Sequence, residues 1–236
     1  MISIITPTLN SAKFLEINIK SIAALEIPYE HIIVDGGSKD GTLDIVNKYK
    51  HVILIHQKEN TGMYGAIHLG FKIAKGKYIT WVNSDDLILY KGFESMFNEI
   101  NMNKIDLVYS NAYFINLDGE RIKNIKGRNL AKFFLRKGIF PFAQPASIYT
   151  KEIYNKVGGL DFYKFKIAGD LDLFYKFASL KGVKFLKCDV YSIEFLKYGE
   201  SLGDINTDLG NLERNRSSIP RPNYIVRLLY RLVKFF

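Results

Sequence analysis

Lys77-Tyr-Ile-Thr-Trp-Val-Asn-Ser-Asp-Asp86 is the stretch on which the fold and chemistry of this 236-residue chain turn. Tyr78 to Val82 has the length and composition of a buried strand, and it ends abruptly in four polar residues. Asp85 and Asp86 therefore fall at the mouth of that strand. Adjacent carboxylates there repel one another unless a cation or a donor compensates. A hard divalent ion such as Mg²⁺ or Mn²⁺ meets that need, since it takes oxygen ligands and keeps positions open for diphosphate oxygens. A second reading stands beside it: one Asp caps the following segment and the other is solvated.

Working outward, the first half alternates short β-type runs with helix-length segments, the pattern of βαβ units around a parallel sheet. Ile2 to Thr6, Ile32 to Val34 and Val52 to Ile55 read as strands before Tyr78 to Val82. Ala12 to Ala24, Leu43 to Tyr49 and Met63 to Ala74 read as the helices between them. A Phe93 to Ile100 helix and an Asp106 to Tyr109 strand follow. Polar residues and glycines gather where each strand ends: Pro7-Thr8, Gly36-Gly37-Ser38, Asn60-Thr61-Gly62 and Asn83 to Asp86. In open parallel sheets, ligands bind beyond the carboxyl ends of the strands. Any one of these turns could be an ordinary βα connection. Four in succession point to a shared site.

Other carboxylates extend the pattern. Asp35 ends the second strand and precedes a glycine-rich turn, so it could accept from a nucleobase or ribose, or form an Asx turn. The turn is neither GxGxxG nor GxxxxGK[ST], so dinucleotide and P-loop binding are not indicated. Asp170 and Asp172 open a helix, and residues two apart point about 200° from one another around its axis. Only one of them can face a given cleft. The helix dipole keeps such a carboxylate ionised but also weakly basic, so desolvation is needed before it can accept a proton well. Acids in a first helical turn are also simply favourable. In the second half, Asn129 to Lys137 and Lys151 to Val157 read as helices, while Gly199 to Pro222 reads mainly as loop.

The totals bound the rest. The chain is 47% apolar and 24% charged, the balance of a globular protein. A single cysteine, Cys188, excludes an intrachain disulfide and any CxxC chemistry. No apolar run approaches the roughly 20 residues that span a bilayer, and Met1 to Thr8 does not read as a secretory leader. These features predict a cytoplasmic location. The formal net charge is +9, and residues 211–236 hold six basic side chains against Glu213 alone, a local excess of +5. Residues 223–236 read as an amphipathic helix bearing Arg227, Arg231 and Lys234 on one stripe. At about 21 Å it is too short to cross a membrane but suits the plane of an anionic inner leaflet. Packing on the protein body is the alternative. No nucleic-acid-binding motif is present, and nucleic acid is not an expected partner.

In order and spacing these segments resemble the inverting family-2 glycosyltransferases, particularly bacterial enzymes that build cell-surface polysaccharides. The matching text is Ile4-Ile-Thr-Pro-Thr-Leu-Asn10, Ile33-Val-Asp-Gly-Gly-Ser-Lys-Asp-Gly-Thr42 and Asn60-Thr-Gly-Met-Tyr64. Ala74-Lys-Gly-Lys-Tyr-Ile79, Asn83-Ser-Asp-Asp86 and Gln144-Pro-Ala continue it, followed by Val157-Gly-Gly-Leu-Asp161, Ala168-Gly-Asp-Leu-Asp-Leu173 and Gly199-Glu-Ser201. The resemblance implies an α/β type-A glycosyltransferase fold, a mostly parallel central sheet flanked by helices. It places a nucleotide-binding half at residues 1–111, an acceptor-side half at 112–205, and a basic loop with a C-terminal amphipathic helix at 206–236.

By the same resemblance, Thr6, Pro7, Thr8, Asp35, Gly62, Asn83 and Asp85 bind the nucleotide of a sugar donor, most often a UDP sugar. Asp85 and Asp86 match the metal-binding DxD element, and Asp170 matches the catalytic base. The implied reaction moves the sugar to a hydroxyl of a glycan or lipid-linked acceptor. Lys39 or Lys58 could add positive charge near the diphosphate. Three departures stand out: Asn83 in the first DxD position, Gly65 where relatives often carry Asp, and His68 where they carry Asn. A nucleotidyltransferase would share the first half, but the phosphate loop it needs is absent after Asn10.

Overall fold

The centre of the molecule is β1 (Ile2–Thr8), seven residues that are all buried. A computed structural model describes residues 1–59, 61–198 and 206–233. β1 pairs in parallel with β2 (Tyr29–Asp35) on one side and β4 (Tyr78–Trp81) on the other, and β2 pairs with β3 (Val52–His56). Side chains alternate across a strand. Ile5, Ile32 and Val34 accordingly meet α3 (Gly62–Ile73) on one face through Tyr64, Ile67 and Phe71. Ile2 and Ile4 meet Ile22 of α1 (Leu15–Ala23) and Phe93 and Met96 of α4 (Tyr90–Met102) on the other. Thr42–Val46 forms the short α2.

One nine-stranded sheet runs β3-β2-β1-β4-β8-β6-β9-β5, with β7 on the free part of β6. Its second half comprises β5 (Leu87–Ile88), β6 (Leu107–Ile115), β7 (Arg121–Ile125), β8 (Ser147–Thr150) and β9 (Phe185–Leu196). β8 runs antiparallel to both β4 and β6, whereas β9 is parallel to β6. The helices here are α5 (Ala131–Arg136), α6 (Lys151–Lys156) and α7 (Gly169–Ser179). α7 packs Leu173, Phe174 and Phe177 into the same layer as α3. The expected α/β architecture is what the chain adopts.

Two features depart from the sequence reading. β9 is a twelve-residue strand that the sequence reading does not assign, because its pairing with β6 shifts register twice and breaks the two-residue alternation. Residues 207–216, expected as loop, form α8 (Thr207–Arg216). α8 buries only Glu213, so it has no apolar stripe to announce it. The C-terminal helix is present as α9 (Tyr224–Leu232). Asn60, residues 199–201 of the late sequence element, and Lys234 lie outside the described residues.

Candidate active site

The parallel register stacks the strand ends. Thr8 is opposite Asp35, Asp35 is opposite His56, and Val82 donates to Ile5 O just before residues 83–86 turn away. A cavity of about 380 Å³ opens above these ends. It is walled by Pro7 and Thr8 at the end of β1, Gly36 after β2, Gln57 after β3, and Asn83 to Asp85 after β4. Gly62 and Tyr64 of α3, Lys166 and Asp170 before and on α7, and Phe195 and Tyr198 at the end of β9 complete it. The volume falls in the range of small-molecule sites, about 300–1,000 Å³.

Six expected residues thus share one cavity: Pro7, Thr8, Gly62, Asn83, Asp85 and Asp170. Three do not line it. Thr6 is fully buried, with Oγ1 3.0 Å from His31 Nε2 and 3.5 Å from Asn18 Oδ1. Asp35 turns its carboxylate into its own loop, where it accepts from the N–H groups of Gly37 and Ser38. Asp86 points inward: Oδ2 accepts from Asn83 Nδ2 at 3.2 Å and Oδ1 from the Leu196 N–H at 3.3 Å. Of the paired carboxylates, Asp85 alone faces the cavity. Burial pushes both carboxyls upward, and for Asp86 the charge of Asp85 pushes further.

Buried Asn18 holds this turn in place. Its Nδ2 donates to Asn83 O at 3.0 Å and to Asp86 O at 2.7 Å, and Thr6 abuts its other side. Thr6 therefore touches the site through Asn18, not directly. Ser84 Oγ donates to Ser11 Oγ at 2.9 Å, tying the β4 turn to the β1 turn.

Oxygen donors for a hard cation are available. Asp85 receives a hydrogen bond from Tyr198, and no ion pair neutralises it among the described residues. Thr8 Oγ1 and Asn83 Oδ1 are buried without hydrogen-bond partners among those residues. An unmade bond at a buried oxygen is costly, and a bound cation or hydroxyl removes that cost. No cluster of three or more His, Cys, Asp or Glu side chains occurs among the described residues.

Asp170 sits in the first turn of α7. Burial drives its carboxyl up to about 6, against the lowering effect of the Leu171 N–H it accepts from and of the nearby Tyr64 hydroxyl. Tyr64 also locks the helix start. Its hydroxyl donates to Ile167 O at 2.7 Å and accepts from the Asp170 N–H at 3.2 Å. The Tyr64 ring leaves no room at 169: a Cβ there would lie 2.8 Å from it, so Gly169 is required. Glu213 of α8 fixes the preceding loop, accepting from the N–H groups of Lys166, Ile167 and Ala168 at 2.6, 3.0 and 2.9 Å. Asp172 faces away, paired with Lys176 at 2.6 Å.

The sequence departures also find their places. A Cβ at Gly65 would collide with Thr61, only 1.8 Å from its Oγ1, so no acid fits at that position. His68 is outside the cavity, its Nδ1 2.9 Å from the Tyr154 hydroxyl and its ring against Phe162, and burial lowers its pKa. Neither Lys39 nor Lys58 lines the cavity. Lys166 does, with Nζ donating to Phe162 O and Thr61 O.

The sequence profile of glycosyl transferase family 2 matches residues 3–170, from the start of β1 to Asp170. The chain belongs to that family. This family-2 chain is 30% identical over 194 residues to a glycosyltransferase of Rickettsia typhi, covering 78% of this chain and 61% of that one. It is 28% identical over 214 residues to the poly(ribitol-phosphate) β-N-acetylglucosaminyltransferase TarP of Staphylococcus aureus, covering 88% and 60%. It thus spans about three fifths of the length of these two relatives.

Among solved structures, S. aureus TarS 1–349 in complex with UDP superposes with a TM-score of 0.68 at 21% identity, covering 92% of this chain and 66% of that one. A Pyrobaculum calidifontis mannosyltransferase in complex with GDP-Man and Mn²⁺ gives 0.65 at 16%, covering 92% and 64%. These likenesses establish the type-A glycosyltransferase fold.

Sequence reasoning missed Asn18, Glu213, Lys166 and Tyr198. Asn18 left one signal, a polar residue among the apolar positions of the α1 stripe. The others act through tertiary neighbours far away in the chain.

Proposed function

We propose that this chain transfers a sugar, with inversion, from a nucleotide-sugar donor to a hydroxyl of a glycan or lipid-linked acceptor in cell-surface polysaccharide synthesis. The observation that carries the reading is Asp170, a carboxyl raised to about 6, facing the same cavity as Asp85. A general base works best with a pKa near the working pH, and a solvent-exposed Asp lies far below it. UDP is the favoured carrier, since TarS binds UDP and TarP is named for N-acetylglucosamine transfer.

Pro7, Thr8 and Gly36 then line the nucleoside end, with Asn83 able to bond ribose. Asp35 shapes that end by holding the 36–38 turn. Asp85, aided by the free oxygen of Asn83, is the residue to hold Mn²⁺ or Mg²⁺. Such an ion offsets charge on the departing diphosphate. Asp86 supports the turn from behind. Asp170 accepts the proton of the acceptor hydroxyl as that oxygen bonds to the anomeric carbon. The carbon–oxygen bond to the nucleoside diphosphate breaks, and its electron pair leaves with the diphosphate. Lys166 adds positive charge at the cavity wall.

Peripheral membrane attachment through α9 belongs to the same reading. One narrow face of the helix packs on the body: Val226 is buried, and the Tyr230 ring lies 5.0 Å from Phe134. Ile225, Leu228, Leu229 and Leu232 form a second stripe at helical spacing, 37–72% exposed. Arg227 and Arg231 flank it, the arrangement of a helix lying in an anionic interface. No helix among the described residues is long and apolar enough to cross a membrane.

The donor assignment is tested by thermal unfolding with UDP, with and without Mn²⁺. Stabilisation only when both are present is expected. Equal stabilisation by UDP in EDTA removes the metal, and none under any condition removes UDP as the carrier.

A further inference from the structure

Consecutive residues on α7 face different cavities. Asp170 lines the site above, while Leu171 lines a second cavity of about 390 Å³ between α7, α8 and α9. Three guanidinium groups wall that second space: Arg214 of α8, and Arg227 and Arg231, one turn apart on α9. None of them takes part in an ion pair among the described residues. Glu213, the acid beside Arg214, is directed the other way, onto the N–H groups of residues 166–168.

Arg214 is built in. Its Nη2 donates to Gly138 O, and its Nε is buried without a hydrogen-bond partner among the described residues. Burial, and then the charges of Arg221 and Arg227, pull it below the usual guanidinium range. Gly138 has φ +72°, and a Cβ there would meet Pro220 O at 2.0 Å and Arg214 Nη2 at 3.2 Å. Only glycine allows that approach. Arg128 lies 5.4 Å from the Tyr230 ring at the same junction, and its Nε is likewise buried and unpartnered. Like charges gathered this way cost stability unless an anion offsets them. Planar guanidinium forks match phosphate oxygens in pairs.

We propose that this cavity binds a phosphate or diphosphate group carried by the acceptor, with Arg214 at its base and Arg227 and Arg231 at its mouth. The first turn of α7 separates the anion from the donor cavity. A bound phosphate therefore anchors the acceptor while its hydroxyl reaches Asp170. The assignment of the anion to an acceptor rests on the transferase reading; the anion site itself does not.

The test is calorimetric titration of the full chain with inorganic pyrophosphate in EDTA, which disables metal-bridged binding in the donor cavity. Saturable binding that weakens steeply with salt is expected. Arg227→Gln/Arg231→Gln should lower the affinity about tenfold or more. Asp85→Ala should leave it unchanged, and the double variant should still bind UDP with Mn²⁺. Pyrophosphate binding of equal strength in wild type and double variant, or no binding at all, overturns the site. Arginine-dependent pyrophosphate binding in a protein that ignores UDP keeps the anion site and removes its acceptor role. Displacement of pyrophosphate by phosphatidylglycerol vesicles that persists after Ile225, Leu228 and Leu232 are changed to serine, and is absent with phosphatidylcholine, assigns the site to bilayer headgroups and overturns the acceptor source.

Discussion

Asp170 is held at odds with itself: the helix start and the Leu171 N–H favour its anion, while burial opposes it more strongly. The balance at about 6 sets two expectations with defined signs. Turnover should rise with pH and level off above an apparent pKa near 6, because the base must be unprotonated to act. A rate that is flat from pH 5 to 8 contradicts that role. The folded pKa lies above the unfolded one, so the ionised carboxyl destabilises the native state once pH exceeds the ordinary carboxylate range. Asp170→Asn should therefore stabilise the protein at neutral pH by about 1–2 kcal/mol, an amount discounted for the side chain's opening to the cavity. The gain should fade as pH drops below 6 and vanish near 4. Transfer in that variant should fall by about 10²–10⁴. Denaturant unfolding of both proteins at pH 7.5 and pH 4.5 checks the stability half; equal stabilities at both values contradict it.

At the scale of elements, the site depends on parts whose sequences say little. The strand-end motifs were legible because each is local: a strand, a turn and its polar residues are contiguous. Asp85 and Asp170 were read from such contexts. The inward turn of Asp86 was not, since it follows from the Leu196 N–H at the far end of β9. Glu213 shows the same limit from the other side. It lies on a polar helix with no periodic stripe, yet its carboxylate secures the loop that delivers Asp170. Glu213→Ala leaves three part-buried N–H groups without their acceptor and should cost about 1–3 kcal/mol. Chemical denaturation reads that loss directly, and an unchanged midpoint refutes the anchoring role. Asn18→Ala should act on the other wall, freeing the 83–86 turn and weakening UDP·Mn²⁺ binding more than it lowers stability. Titration calorimetry beside a melting curve separates the two.

Over the whole molecule, the parallel half of the sheet gathers the strand-end residues of the first cavity, while the mixed half and the C-terminal helices bring Asp170, Glu213 and the arginine cavity against them. The basic excess read in the sequence divides in the same way. Arg227 and Arg231 face the second cavity, and the apolar stripe beside them is exposed. Substituting Ile225, Leu228 and Leu232 with serine removes exposed apolar surface without touching the packed face. Partitioning onto anionic vesicles should drop about tenfold or more, as the lost burial requires. Unchanged sedimentation with vesicles sets the membrane contact aside. The central claim is that Asp85 and Asp170 serve one donor cavity. Its most direct test is nucleoside diphosphate release from a panel of nucleotide sugars with Mn²⁺, using wild type, Asp85→Ala and Asp170→Asn. Release by the wild type alone, with UDP still bound by Asp170→Asn and lost from Asp85→Ala, is the predicted result; full activity in both variants contradicts it.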